Sequence, residues 1–245
     1  MMGPEKIEIK AGQETLRGKL FSARQPKKIA VLFLHGWAGL PNEDAARVLA
    51  HNGYSSLTFS FSGHNDSSGE LGNVSRAGSL GEAVAAYDYF KNHLPHGTKM
   101  AAAGSSYGSY MTALLSGRRE LVGMSLRAPA NYPDEKFEEP QLPQAPTPSN
   151  QFLNKWRKQE LNYDATSSLR SVHNFSGYIQ LLEAEKDDIV PPQTVDNYRK
   201  AVAAESKLDY HFMKDWTHGI GLDKAKNKQY QKVLIDWLNK ISEQI

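Results

Sequence analysis

The stretch AAAGSSYGSYM, Ala101 to Met111, carries three serines and two glycines where a strand-like run gives way to a helical one. Only one register fits the frame Gly-x-Ser-x-Gly: Gly104, Ser106 and Gly108. A serine at the tip of a sharp strand-to-helix turn sits in strained backbone. The residues two before and two after it must be small, because strand and helix nearly touch there. Ser105 and Ser109 lack that pair of flanking glycines. The frame nominates Ser106 as a nucleophile against the plainer reading of small-residue filler, and the rest of the chain must supply its partners.

Working outward, strand-like runs alternate with helix-length amphipathic segments. KIEIKA and LRGKLF read as two short antiparallel strands ahead of the main unit, and KKIAVLFLHG has the continuous apolar core of a strand buried on both faces. PNEDAARVLAHNG carries helix signals, with Asn42 as N-cap and Gly53 as the stop. YSSLTFSFSG is a further strand, and Arg76 to His93 spaces Leu80, Ala83, Val84, Tyr87 and Phe90 along one helical face. TKMAAAGSS then reads as a strand and Tyr107 to Ser116 as a helix. They are followed by LVGMSLRAP, YIQLLEA, QTVDNYRKAVAA, LDYHFM and a last helix near Asp223 to Ile241. This order predicts an α/β fold with a mostly parallel central sheet and helices on both faces.

A single domain over residues 1–245 is expected, interrupted once. From Asn131 to about Ser171 there is no strand pattern. Pro133, Pro140, Pro143, Pro146 and Pro148 cluster there with Phe137, Phe152, Trp156 and Tyr163. So long an irregular insertion reads as a small functional cap rather than a plain linker.

A serine nucleophile needs a base after a late strand, and MKDWTHG supplies His218. The base needs a buried acceptor, and LLEAEKDDIVPP supplies Asp187 and Asp188 after the preceding strand. The order Ser106, Asp187, His218 is the one used by sheets of this kind. Two backbone N–H donors for an oxyanion are available at Tyr107 and, in the LHGWAG loop, at Trp37. The aromatic side chains of Trp37, Phe137, Phe152 and Trp156 are candidates for contact with the substrate.

LHGWAG, FSGHNDSSG, GSSYGSYM and EKDDIVP followed by THG, in that order, resemble the α/β-hydrolase superfamily over nearly the whole chain. GSSYGSY beside GHNDSSG is most similar to bacterial serine esterases of the cinnamoyl/feruloyl esterase type and to prolyl-oligopeptidase-like relatives. The resemblance implies an α/β-hydrolase fold with a Ser-His-Asp triad. In the family's G-x-x-D-x-x-V-P segment the acid stands three before the valine, which here is Asp187 before Val190. Ala184 occupies the usual glycine position, which keeps Asp188 as an alternative. His64 and Asp66 fall in a loop similar to the family's GHGxS turn and carry a structural role.

Composition closes off other chemistries. The absence of cysteine removes thiol catalysis and cysteine-ligated metal or iron–sulfur centres. The longest apolar run, Ile29 to Leu34, is far short of the roughly 20 residues that cross a bilayer, and the amino-terminal residues carry no secretory pattern. A soluble, cytoplasmic protein is expected. The net charge of +2, with acids and bases interleaved, gives nucleic acid no basic face. His93 and His96 flank Pro95 with no third ligand, so neither metal nor cofactor is expected. The chain reads as a serine hydrolase cleaving small-molecule carboxylic esters with small or aromatic acyl groups. A thioesterase, a small peptidase or a non-catalytic ligand-binding protein on the same fold are the alternatives.

Overall fold

The computed structural model describes residues 3–141 and 150–245. Among these residues, eight strands form one sheet: β1 (Glu5–Ala11), β2 (Glu14–Phe21), β3 (Ile29–Leu34), β4 (Ser56–Phe59), β5 (Lys99–Ser105), β6 (Gly123–Arg127), β7 (Tyr178–Lys186) and β8 (Leu208–Thr217). Their spatial order is β1-β2-β4-β3-β5-β6-β7-β8. The β1–β2 and β2–β4 pairings are antiparallel and all the others are parallel.

Among the described residues, seven α-helices accompany the strands: α1 (Glu43–His51), α2 (Arg76–Asn92), α3 (Tyr107–Ser116), α4 (Gln151–Trp156), α5 (Ser167–Asn174), α6 (Pro192–Ala201) and α7 (Lys224–Ser242). α1 and α7 pack against each other on one face, while α2, α3, α5 and α6 pack in sequence on the other. The apolar run of β3 explains why both faces are covered. Ala30, Leu32 and Leu34 enter one core, while Ile29, Val31 and Phe33 enter the other. Alternation in β5 divides Met100 and Ala102 from Ala101 and Ala103 in the same way. This is an α/β-hydrolase fold. Among the described residues, no helix is long and apolar enough to cross a membrane.

One local expectation needs correcting. Asn42 stands at the N-cap of α1, but its side chain makes no capping hydrogen bond. The first turn instead presents Glu43 and Asp44 to the helix N-terminus, and Lys19 of β2 donates to both Glu43 carboxylate oxygens at 2.7 Å. The caps of α2, α5 and α7 are conventional, with Ser75, Thr166 and Asp223 accepting from backbone N–H groups one turn in.

Between β6 and β7 the described residues form α4, α5 and connecting turns. Pro143, Pro146 and Pro148 lie outside the described residues. Near the start of this segment, Ser75 and Pro140 form an isolated antiparallel bridge and Gln141 N–H donates to Val74 O, tying it to the start of α2. At its end α5 lies against α3 and α6.

The register of the sheet lines up the loops that follow the strands. Leu34 pairs with Gly104, so residues 35–37 leave the sheet beside residues 105–107. Strand order reverses between β3 and β5, the place where open α/β sheets bind ligands. On the other side Lys186 pairs with Thr217, so the next residues in each chain segment, Asp187 and His218, emerge together.

Candidate active site

Ser106 links β5 to α3 with φ 53° and ψ −115°, a conformation costly for any residue with a side chain. The flanking glycines show what enforces it. A Cβ on Gly104 would stand 2.3 Å from Gly108 O, and one on Gly108 would stand 2.0 Å from Leu34 O. Strand, helix and the neighbouring β3 approach so closely that only glycine fits at either position. The Ser106 N–H is used to anchor the turn, donating to Arg127 O on β6 at 2.8 Å.

The turn points the Ser106 hydroxyl at His218, whose Nε2 lies 2.9 Å from Oγ. The other ring nitrogen, Nδ1, lies 2.9 and 2.8 Å from the two Asp187 carboxylate oxygens. A carboxylate only accepts, so Nδ1 carries the proton and Nε2 is left to accept from the serine. The Asp187 side chain is 4% exposed and that of His218 is 19% exposed. Asp187 is fixed in turn by the N–H groups of Ile189 and Val190, both donating to Oδ1. Asp188, the alternative in the sequence, is exposed. Asp215 turns away, paired with Lys186 on the surface.

The LHGWAG loop lies against the same serine, since a Cβ on Gly36 would stand 3.5 Å from Ser106 Cβ. His35 controls its peptide plane. The ring takes an N–H from Phe61 on Nε2 at 3.0 Å, so Nδ1 carries the proton and donates to Gly36 O at 2.7 Å. Gly39 N–H donates to the same carbonyl at 2.9 Å. With Gly36 O held on that side, the Trp37 N–H of the trans peptide faces the other way. Tyr107, first residue of α3, has an N–H without an intrahelical acceptor. Burial pushes the His35 imidazole down to about 4, and burial also lowers His64. The Trp37 ring packs edge-on to His64 at 5.0 Å and Tyr107 at 5.3 Å. His64 is thus packing for the LHGWAG loop, with Nδ1 bonded to Ser62 O.

The aromatic residues of the 131–171 segment are dispersed. Phe137 lies against the Arg76 guanidinium, 5.6 Å from ring centre to Cζ, and Trp156 is partly buried against the core. Phe152 is 71% exposed. Among the described residues, no hydrogen bond or ring contact joins these three to Ser106, His218 or Asp187.

One residue of the site was not anticipated. Arg127, at the end of β6, donates from Nη1 to His218 O at 2.7 Å and from Nε to Ser105 Oγ at 3.1 Å. Its own carbonyl accepts from Ser106 N–H and Ser109 Oγ. One residue therefore clamps the serine turn and the histidine loop. An arginine closing an otherwise buried strand, in MSLRAP, was the available signal.

The sequence model of the prolyl oligopeptidase family matches residues 48–244. The chain belongs to this family. The matched span contains Ser106, Asp187 and His218, whereas β1 to β3 and the LHGWAG loop precede it. No curated protein matches the chain. Among solved structures, this family member is similar to Est1E from Butyrivibrio proteoclasticus, solved with ferulic acid bound. That match has a TM-score of 0.72 at 15% identity, covering 95% of this chain and 99% of that one. A Pyrococcus furiosus esterase matches with a TM-score of 0.70 at 18% identity over 97% and 91% of the two chains. A Xanthomonas campestris α/β serine hydrolase without a lid matches with a TM-score of 0.68 at 15% identity over 98% and 95%. At these identities the likeness is one of fold. The chain is a hydrolase of the α/β class.

Proposed function

We propose that the chain is a serine esterase in which Ser106 is the nucleophile, His218 the general base and acid, and Asp187 the group that orients it. The observation that carries this reading is the unbroken path from Ser106 Oγ through His218 to a buried Asp187, with the serine held at positive φ. Ser106 Oγ attacks the ester carbonyl carbon while His218 Nε2 takes its proton. The tetrahedral oxyanion is met by the backbone N–H groups of Trp37 and Tyr107, each such donor contributing about 10²–10³ in rate. His218 then returns the proton to the departing alcohol oxygen, leaving the acyl group on Ser106. Water attacks next, giving up a proton to His218, and the acid leaves as Ser106 recovers its hydrogen.

The substrate is a small-molecule ester. The partly exposed Trp37 ring, held edge-on against the buried Tyr107, suits a flat acyl group, and the structural likeness to a protein that binds ferulic acid agrees with that. Within the single domain, residues 131–171 act as a cap that limits substrate size. Membership of the prolyl oligopeptidase family supports a second reading, cleavage of a short peptide. Turnover of p-nitrophenyl esters beside prolyl p-nitroanilides separates the two. Wild type is expected to hydrolyse the esters, and Ser106→Ala, with an unchanged circular dichroism spectrum, to lose about 10⁴-fold or more. Undiminished ester turnover in Ser106→Ala would remove the assignment.

A further inference from the structure

After β6 the chain turns back past the nucleophile, and Ala130 N–H donates to the Ser106 carbonyl at 3.2 Å. The residues that follow build a buried cluster rich in donors. Arg157, one residue beyond α4, is 1% exposed. Its Nε donates to Asn131 O at 3.0 Å, and its Cζ lies 4.7 Å from the centre of the Tyr132 ring. Nη1 and Nη2 have no hydrogen-bond partner, and no ion pair among the described residues includes Arg157. Asn131 beside it is in a similar state. Its Oδ1 accepts from Tyr132 N–H at 2.9 Å and Ser168 Oγ at 2.8 Å, while its buried Nδ2 has no partner. The Tyr132 ring continues to Tyr107, 6.0 Å away between centres, so the cluster adjoins the residue that follows Ser106.

The unused groups on both residues are donors, and one carries a full charge. A buried cation without a counterion costs several kcal/mol, and the ligand that offsets this is an anion. A planar guanidinium with two free nitrogens fits two coplanar oxygens, the geometry of a carboxylate.

We propose that Arg157, with Asn131 Nδ2, binds a carboxylate of the substrate, so that the ester cleaved at Ser106 carries an acid on its acyl chain. The proposal rests on the esterase reading of Ser106 and narrows its substrate class to half-esters of dicarboxylic acids. On binding, the Arg157 side chain, buried in the free protein, changes rotamer to present its fork, which its long unbranched stem permits.

Two measurements test it together. In the first, wild type hydrolyses p-nitrophenyl half-esters of dicarboxylic acids from succinate to suberate, each against the neutral ester of matching length. In the second, Ser106→Ala is titrated with free glutarate and adipate by calorimetry and thermal shift. At the chain length that reaches Arg157, kcat/KM for the half-ester is expected to exceed that of the neutral ester about tenfold or more. Arg157→Met brings that ratio to about one, and Arg157→Lys, which keeps charge but loses the fork, gives an intermediate value. The dicarboxylate raises the melting temperature of Ser106→Ala but not of Ser106→Ala/Arg157→Met. Ester turnover without half-ester preference and without dicarboxylate binding overturns the carboxylate site and leaves Ser106 standing. Dicarboxylate binding that needs Arg157, with no ester turned over, retains the site and retires the esterase reading. If Arg157→Met does not fold, the Arg157→Lys comparison decides, and an unchanged ratio there overturns the proposal.

Discussion

At Gly108 one added carbon would stand 2.0 Å from a backbone oxygen of β3, whereas at Phe152 most of a large ring faces solvent. These positions represent two ways of holding a chain in place. The turn at Ser106 is fixed by backbone packed on backbone, with β3, β5 and α3 meeting at Gly104 and Gly108. The described residues between β6 and β7 are fixed by scattered polar anchors. Asp134 accepts from Ser167 N–H and Oγ, Arg76 reaches Pro133 O and Glu135 O, and Thr194 Oγ1 reaches Arg157 O. A site that must hold a strained serine needs the first kind of support, because backbone cannot relax around an added atom. The described residues between β6 and β7 have the second, where each anchor contributes little alone.

The contrast can be broken by substitution. Gly108→Ala is expected to cost more than about 3 kcal/mol, since the clash is with backbone and not with a side chain that can swing away. Urea denaturation reads this, and a variant within about 0.5 kcal/mol of wild type would show that the close approach is not what holds the turn.

The LHGWAG loop adds a pH dependence of its own. His35 is held neutral, with its pKa near 4 against about 6.5 in an unfolded chain. Its contribution is therefore complete above pH 6.5 and is lost as the pH falls through 4, because burial disfavours the imidazolium, whose second N–H would also face the Phe61 N–H. Stability should fall by about 3 kcal/mol more in wild type than in His35→Gln between pH 7 and pH 4. Parallel pH curves for the two proteins would remove His35 as the cause.

The smallest effect belongs to the anchored segment. Asp134→Ala removes an exposed carboxylate at the start of α5 and should cost about 1 kcal/mol or less. A loss as large as that of Gly108→Ala would mean that the two regions are not held differently after all.

Much of this was legible in the sequence where local pattern and position coincide. β3 and β5 read correctly because an apolar run of strand length fits two cores at once, and α3 because it begins at the glycine-flanked serine. Ser106, Asp187 and His218 could be nominated because each directly follows a strand end, which is where this fold gathers side chains. Asp187 was preferred to Asp188 from its place three before Val190 in a segment resembling the family's, and the His218 Nδ1 contacts fall on Asp187. Arg127 was missed because its partners, Ser105 and the His218 carbonyl, are 22 and 91 residues away. The polar anchors of the 131–171 segment, such as Asn131 with Ser168, follow no period and leave no mark on composition. Asn42 shows the reverse error, a cap residue in the right place whose side chain takes no part.

The proposed role of Ser106 requires that the groups around it activate its hydroxyl. Reaction of the native protein with a fluorophosphonate probe, followed by peptide mapping, tests this without assuming any substrate. A single adduct is expected on the peptide bearing Ser106, absent in Ser106→Ala and much slower to form in His218→Gln. An adduct on another residue, or none on the folded wild-type protein, would contradict it.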